Sequence, residues 1–212
     1  MAERPAFSLH QGKVIRRPYT FAWFPGFSLS QKQKSVASLH RAILESDPGA
    51  RPLEVSTKSL VPLGVSLSAF RLRLGRFPLE NVFQSAKVFA DGGPYPDLLQ
   101  VPPKEAKRDR RLRESGVLTG FRFQGQDFPL FPKTVFYDYL YIAAVKDSLS
   151  PEDIRKIADF DHFTDIEFNP AKSLSTQARS AAIIRLLLDE YGELPDFSRE
   201  DFIRYHQAHV SD

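Results

Sequence analysis

The chain has 212 residues, 42% hydrophobic and 12% aromatic, so its length and composition suit one domain with a full apolar core. It contains no cysteine, which excludes disulfides, zinc ribbons and a thiol nucleophile, and its net charge is only +3. The first residues lack the apolar segment of a signal peptide, and no run approaches the roughly 18 apolar residues of a membrane span. We therefore expect a cytoplasmic protein without a membrane partner.

The first half of the chain predicts a mixture of short strands and helices. Residues 1–12 are expected to form a loose arm, and "KVIRRPYTFAWF" alternates like an edge strand, because Pro18 excludes a central position. A helix capped by Ser30 follows. "PLEVSTKS" and "LSAFRLRL" have the pattern of short strands, and "PLENVFQSAKVFADGGPYPDLL" predicts the next helix.

The second half predicts more helix than strand. "GVLTGFRFQGQDFPLF" has two apolar runs around Gln124-Gly125-Gln126, which indicates a hairpin, and "PKTVFYDYLYIAAVKD" predicts a central helix. Two further helices have serine caps at Ser150 and Ser198, and a helix between them ends at Gly192. Because no regular βαβ alternation appears, we expect a single α+β domain over residues 13–212, mostly helical with short strands and a hairpin.

Polar side chains in the helix predicted after Pro78 follow one face. At about 100° per residue, four of them fall within roughly 60° of each other: Glu80, Gln84, Lys87 and Asp91. The neighbouring sector is apolar and must face the core, so the polar stripe is expected at the rim of the core, where a cleft can open. A solvated, salt-bridged helix face explains the same spacing without any function.

A second dense group of polar residues lies in "HFTDIEFNPAKSLSTQARS". Asp165 and Glu167 alternate with apolar residues, so both are expected to point one way from an extended segment. Ser173 or Ser175 is expected to cap the following helix, and free N–H groups beside Lys172 would form a phosphate site. An ordinary loop followed by a capped helix is the alternative.

Basic residues cluster in "KEAKRDRRLRES". Clustered arginine and lysine supply the salt-dependent part of nucleic-acid affinity, which points to contact with a polyanion. A solvated helix with charge pairs explains the run equally well. If the run binds DNA, the expected contacts are Arg108, Arg110 and Arg111.

Several of these motifs together resemble the NADAR domain family. "LSAFRLRLGRFPLENVFQSAKVF" is similar to its opening strand and its helix with Glu and Gln-x-x-Lys. "WFPGFSLSQKQKS", "EVSTKS", "GGPYPDLL", "FYDYLY" and "FTDIEFNPAKSLSTQARS" resemble the branch of antitoxins found beside DarT-type DNA ADP-ribosyltransferases. The resemblance covers about Phe21 to Leu188. Ala69 departs from the family, which usually has Asn there, and the Trp-Gly pair of metabolic members is absent after Asp165.

The resemblance implies an ADP-ribosylglycohydrolase that removes ADP-ribose from the guanine amino group of DNA, most readily single-stranded, as the antitoxin of a DarT-type toxin. Two alternatives stay open. One is an N-glycosidase acting on a riboflavin-pathway metabolite, against which the basic run argues. The other is a non-catalytic antitoxin that binds ADP-ribosylated DNA or the toxin. No metal and no cofactor are expected, because the histidines show no ligand spacing.

Cleavage of an N-glycosidic bond needs a proton for the leaving nitrogen and stabilisation of an oxocarbenium-like carbon. We assign Glu80 to proton transfer and Asp165 to the ribose or the attacking water. A Schiff base at the anomeric carbon is a second route, for which Lys87, Lys58 and Lys32 are candidates. The expected substrate-binding residues are Phe83, Gln84, Asp91, Gly92, Gly93, Tyr95, Glu167, Asn169, Lys172, Gln177 and Arg179.

Overall fold

The computed structural model describes residues 1–169, 171 and 173–210. Its elements in chain order are β1 (Ala2–His10), β2 (Lys13–Phe21), α1 (Leu29–Ser46), β3 (Pro52–Glu54), α2 (Pro62–Ser66), β4 (Arg73–Leu74), β5 (Phe77–Pro78), α3 (Leu79–Ser85), β6 (Lys87–Phe89), α4 (Pro103–Ala106), α5 (Arg111–Glu114), β7 (Leu118–Phe123), β8 (Gln126–Phe128), α6 (Val135–Ser148), α7 (Pro151–Arg155), β9 (His162–Thr164), α8 (Gln177–Tyr191) and α9 (Arg199–His209). Short 3₁₀ turns occupy Pro96–Gln100 and Lys156–Asp159. The expected α+β class is confirmed.

The largest sheet has the strand order β2-β1-β9-β3. β1 pairs antiparallel with β2 and β9, and β9 pairs parallel with β3. β2 is an edge strand, as Pro18 indicated. The loose arm expected for residues 1–12 is wrong, because Ala2–His10 pair along their whole length with β2 and connect it to β9.

Alternate residues of this sheet enter two apolar layers, as the period of a strand requires. On one face Ala6 and Phe21 pack against α1 through Leu39 and Ile43. On the other face Phe7 and its neighbours join the larger core around α6 and α8. The sheet is therefore covered on both faces, and β9 ends in the interior.

The central helix α6 is apolar around most of its circumference, which is typical of a buried helix. Its one fully buried carboxylate, Asp138, accepts hydrogen bonds from Thr134 Oγ1 at 2.8 Å and Ser180 Oγ at 2.5 Å. Its Oδ2 atom also lies 3.0 Å from His206 Nε2 and 3.6 Å from Arg179 Nε. Asp138 thus joins α6 to α8 and α9.

The helix predicted over the polar stripe is wrong in length. α3 ends at Ser85, and Lys87–Phe89 form β6, which pairs with β7. "KVF" suits a strand, and β7 offers it backbone partners that local periodicity cannot reveal. Lys87 and Asp91 therefore do not continue the face that carries Glu80 and Gln84. The strand expected in "LSAFRLRL" is also reduced, to Arg73–Leu74.

Most signals that depend on local chemistry are confirmed. The hairpin turns at Gln124-Gly125, and α7 and α9 begin with the caps Ser150 and Ser198. Two caps were misplaced: Ser28 rather than Ser30 caps α1, and Thr176 rather than Ser173 or Ser175 caps α8. Within the described residues, every helix is too short or too polar to cross a membrane.

Candidate active site

A cavity of about 440 Å³ opens where the first turns of α3 and α8 meet the segment that follows β9. We call it the polar cavity. Its lining residues are Ala69, Phe70, Pro78, Glu80, Pro103, Lys107, Tyr137, Asp165, Glu167, Phe168, Asn169, Ser173, Ser175, Thr176 and Gln177. A larger groove of about 910 Å³ beside β4, β5 and the β7–β8 turn has none of the expected site residues in its lining. The chemistry therefore favours the smaller cavity.

Glu80 stands in the first turn of α3 at the wall of this cavity. Gln84 Nε2 donates a hydrogen bond of 2.8 Å to Glu80 Oε1, and Lys107 Nζ lies 3.9 Å from Oε2. The side chain of Glu80 is 27% exposed, so water reaches it. Glu80 and Gln84, which the helical spacing placed on one face, are therefore in contact in the structure.

Asp165 is buried at the inner end of the cavity. Its carboxylate accepts a hydrogen bond from the Glu167 N–H at 3.1 Å, and the Thr176 hydroxyl lies 3.4 Å away. Burial, followed by the negative charge of Glu54, raises the pKa of Asp165 to about 8. Burial beside Glu54 therefore favours the protonated form of Asp165 at neutral pH.

Glu54 is a buried carboxylate near Asp165, to which the sequence assigned no role. Its carboxylate is 1% exposed and accepts hydrogen bonds from Ser56 Oγ at 2.6 Å, Thr164 Oγ1 at 2.7 Å and the Ile166 N–H at 2.9 Å. It thus holds the residues on both sides of Asp165. Burial raises the pKa of Glu54 above its usual range. A glutamate at the end of a three-residue strand gives no sequence signal of such burial.

Tyr137 is the second missed residue. Its ring comes from the first turn of α6 and lines the cavity with Glu80 and Asp165. Burial raises the pKa of the Tyr137 phenol far above its usual value, and the charges of Asp165 and Glu80 add to the shift. The phenol stays protonated and can donate a hydrogen bond. The motif "FYDYLY" contains this tyrosine, but no role was assigned to it.

A second cavity of about 360 Å³ adjoins the polar one, and Tyr137 and Ser175 line both. We call it the apolar cavity. Its lining residues are Phe83, Lys87, Leu118, Phe121, Pro129, Leu130, Phe131, Lys133, Thr134, Phe136, Tyr137, Leu174 and Ser175. Two expected site residues, Phe83 and Lys87, thus lie next to the carboxylates rather than among them.

The structure separates the three candidate lysines. Lys87 lies over the Phe83 ring, 5.1 Å from its centroid, and burial lowers the pKa of Lys87, while the charge of Glu80 acts in the opposite direction. Lys32 forms an ion pair of 3.3 Å with Glu167 at the edge of the polar cavity. Lys58 donates to Thr57 Oγ1 at 3.0 Å and lines neither cavity. Lys32 and Lys87 are both partly buried beside a cavity, but the charge of the candidate catalytic Glu80 acts on Lys87, whereas Lys32 is paired with Glu167.

The expected substrate-binding residues divide into two groups. Glu167, Asn169 and Gln177 line the polar cavity, and Gln177 Oε1 accepts a hydrogen bond of 2.7 Å from the Ala69 N–H. Ala69 thus donates its backbone N–H to another residue that lines the polar cavity. Arg179 is buried, donates to the Leu174 carbonyl at 2.9 Å and faces Asp138, outside both cavities. Lys172 lies outside the described residues.

The Gly-Gly-Pro turn lies apart from both cavities. Asp91 is exposed, and the Tyr95 hydroxyl is hydrogen-bonded to Ser115 Oγ at 2.5 Å. Gly93 has a φ of +87°, and a Cβ atom there would collide with the Lys87 carbonyl. The glycines therefore allow the chain to turn closely under β6, and the expected substrate-binding residues Asp91, Gly92, Gly93 and Tyr95 form a tightly packed turn outside both cavities.

The basic run forms two short helices, α4 and α5, beside the polar cavity, which Lys107 reaches. Arg111 is held by Asp97 at 2.5 Å and Asp109 at 2.9 Å, and its guanidinium lies 4.5 Å from the Tyr95 ring centroid. Arg110 pairs with Glu114 at 2.9 Å, both largely exposed. Arg111 is therefore engaged within the fold, whereas exposed pairs such as that of Arg110 are readily exchanged for a phosphate.

Replacing Arg108 and Arg110 together by alanine is expected to weaken binding of single-stranded DNA without unfolding the protein, because both side chains are exposed. Each phosphate interaction that the change removes should reduce the slope of log affinity against log salt by about 0.7. Affinity measured by fluorescence anisotropy between low and moderate salt gives this slope. An unchanged slope would show that the run is a solvated surface.

Residues 2–212 match the family model described as "DarT1-associated NADAR antitoxin". The chain belongs to this family. The match extends the resemblance to both termini, and the family assignment identifies the chain as a NADAR antitoxin. Comparison with curated proteins gave no match. In this NADAR antitoxin the motif that carries Glu80 and the one that carries Asp165 converge on a single cavity.

Proposed function

We propose that this NADAR antitoxin hydrolyses the bond between ADP-ribose and the guanine amino group of DNA, reversing the modification made by a DarT-type toxin. One observation carries the proposal: the partly exposed carboxylate of Glu80 and the buried carboxyl group of Asp165 line the same cavity with the Tyr137 phenol. Two carboxyl groups in contrasting environments are the arrangement that acid–base cleavage of a glycosidic bond requires.

The roles follow from the two environments. Asp165, held in its protonated form by burial, donates its proton to the leaving guanine nitrogen. Glu80 takes the proton of the attacking water, so that the water adds to the anomeric carbon as the carbon–nitrogen bond breaks. Lys107 lies 3.9 Å from Glu80 and offers a positive charge toward the diphosphate. Glu54 keeps Asp165 in place through Thr164 and Ile166.

Lys87 supports a covalent variant of the same reaction. Its desolvated amine adds to C1 of the ring-opened sugar, the guanine amine leaves with a proton, and a Schiff base remains between Lys87 and the sugar. Water then hydrolyses this imine, which releases ADP-ribose and restores the lysine. The partner carboxylate for the proton transfers is Glu80, whose charge acts on Lys87.

The deciding experiment is turnover. Guanine-ADP-ribosylated single-stranded DNA in large excess over the protein should be cleaved completely to ADP-ribose and unmodified DNA, with EDTA present. A sequestering antitoxin would protect only an equimolar amount. Equal cleavage of thymine-linked ADP-ribose would contradict the guanine assignment, and loss of activity in EDTA would contradict the mechanism.

Borohydride added during turnover is expected to trap a sugar adduct on the wild-type protein, because reduction turns the imine into a stable amine. Lys87→Ala should abolish the adduct, as intact-mass spectrometry would show. Lys32→Ala and Lys58→Ala serve as controls that keep the adduct. An adduct that persists in Lys87→Ala would move the covalent role to one of those two lysines, and no adduct in the wild type would leave direct attack by water.

A further inference from the structure

The apolar cavity differs from the polar one in what lines it. Aromatic rings form its inner wall: Phe83 and Phe121 lie 5.6 Å apart at 29°, and Phe121 and Phe136 lie 4.5 Å apart at 24°. Tyr137 meets the Phe83 ring edge-on at 5.3 Å. Phe136 is fully buried, while Phe83 and Phe121 are partly buried, so the surface that these rings leave to the cavity is apolar and suits the burial of a flat aromatic ligand.

Two lysine side chains interrupt this apolar lining. Lys87 and Lys133 both line the cavity. Purine rings carry acceptor atoms along one edge, such as N7 and O6 of guanine, and lysine is a common donor to them. The lining thus offers apolar contact to the faces of a purine and lysine N–H donors to its edge.

The mouth of the apolar cavity exposes large apolar side chains. Phe131 is 68% exposed and Leu174 is 62% exposed, although neither exposure helps the chain to fold. Exposed apolar groups at the rim of a concave site indicate that a ligand covers them. A base that enters between these two side chains would remove both from water.

The position of the cavity connects it to the reaction. Tyr137 and Ser175 line both cavities, so a sugar held against Glu80 and Asp165 lies next to the aromatic wall. In this substrate the ribose that is cleaved from DNA lies between two purines. Guanine is bonded to its anomeric carbon, and adenine lies at the far end of the diphosphate. Both have the flat, acceptor-edged shape that the apolar cavity fits.

We propose that the apolar cavity is a purine site, which takes a base of the ADP-ribosylated DNA while the polar cavity takes the ribose. The proposal depends on the proposed function for the position of the sugar, but the binding of a purine there does not require turnover. It assigns Phe131 and Leu174 to substrate binding rather than to chemistry.

Phe131→Ala is the first test. It should raise KM for ADP-ribosylated DNA by about 5- to 50-fold with little change in kcat, because stacking on a base is removed while the carboxyl groups remain. Leu174→Ala, at a second exposed position, should also raise KM. It provides an independent test in case Phe131→Ala does not fold. The matched control is Phe27→Ala, since Phe27 is fully exposed and lines neither cavity.

A substrate without its adenylate group (the trimmed substrate) decides whether the site binds guanine or adenine. A pyrophosphatase that cleaves the diphosphate but spares phosphodiester bonds removes the adenylate from the modified DNA and leaves a phosphoribosyl group on guanine. If KM rises equally for full and trimmed substrates in Phe131→Ala, the site takes guanine. If it rises only for the full substrate, the site takes adenine. An unchanged KM for both substrates in both variants would overturn the purine site.

A binding measurement separates this proposal from the proposed function. Calorimetry with GMP and AMP needs no cleavage and compares wild type with Phe131→Ala. If the wild type cleaves nothing but binds one nucleotide, and Phe131→Ala loses that affinity, the purine site stands and the glycohydrolase assignment fails. If the wild type cleaves the DNA and the KM values do not respond, the glycohydrolase stands and the purine site fails.

Discussion

Glu80→Gln is expected to lower kcat by about 10²- to 10⁴-fold, the usual contribution of a proton-transfer group. The fold should tolerate the change within about 1 kcal/mol, because glutamine keeps an oxygen that accepts from Gln84, and the exposed ion pair with Lys107 is weak. Single-turnover kinetics on guanine-ADP-ribosylated DNA, with a urea titration of each protein, measures the two effects separately.

Glu105→Gln is the matched control for this prediction. Glu105 lies one helix away in α4, is exposed and lines neither cavity. It should leave both kcat and the free energy of unfolding unchanged. If Glu80→Gln turns over at the wild-type rate, Glu80 is not a catalytic residue and the first turn of α3 is only a solvated, ion-paired surface.

Asp165→Asn is expected to abolish most turnover and, at the same time, to stabilise the fold at alkaline pH. In the wild type the unfolded chain releases the Asp165 proton near its ordinary pKa of 3.8, whereas the native protein keeps it up to a pKa of about 8. The native state then binds more protons between these values, so the free energy of unfolding falls as pH rises through this window. One such proton corresponds to up to about 1.4 kcal/mol per pH unit.

Urea titrations from pH 5 to pH 9 test the Asp165 prediction. The curve for Asp165→Asn should fall less steeply with pH than the wild-type curve, and the two should differ most above pH 8. Asp159→Asn, at an exposed carboxylate outside both cavities, should follow the wild type. The wild-type rate should also fall above about pH 8, as the acid loses its proton. Parallel stability curves would show that Asp165 is ionised at neutral pH and unsuited to the role of acid.

Local chemistry made part of the fold predictable. The caps Ser150 and Ser198 and the left-handed Gly192 act within their own turns, so the sequence reveals them directly. The α3 segment shows the limit of such signals. Its apolar spacing continues through Lys87, yet the backbone there pairs with β7, and a distant strand leaves no trace in the local pattern.

The candidate site was predictable in its parts rather than in its arrangement. Glu80 and Asp165 were found from their motifs, and the structure brings both to one cavity. Glu54 was missed because a buried carboxylate is recognisable only by the partners that surround it, and those come from residues 164 and 166. Lys87 was selected because of a helical spacing, but it lies in β6 and not in α3. The charge of Glu80 nevertheless affects the pKa of Lys87.

The pairing of β1 has a practical consequence for anyone who trims or tags this protein. Residues 2–10 lie between β2 and β9, and β9 leads directly into Asp165. Deleting them would leave the N–H and C=O groups of β9 without their β1 partners, which invites pairing with other chains and aggregation. An affinity tag belongs before Met1 or at the other terminus, and a shortened N-terminus should be read as an active-site mutation rather than as the removal of a spare tail.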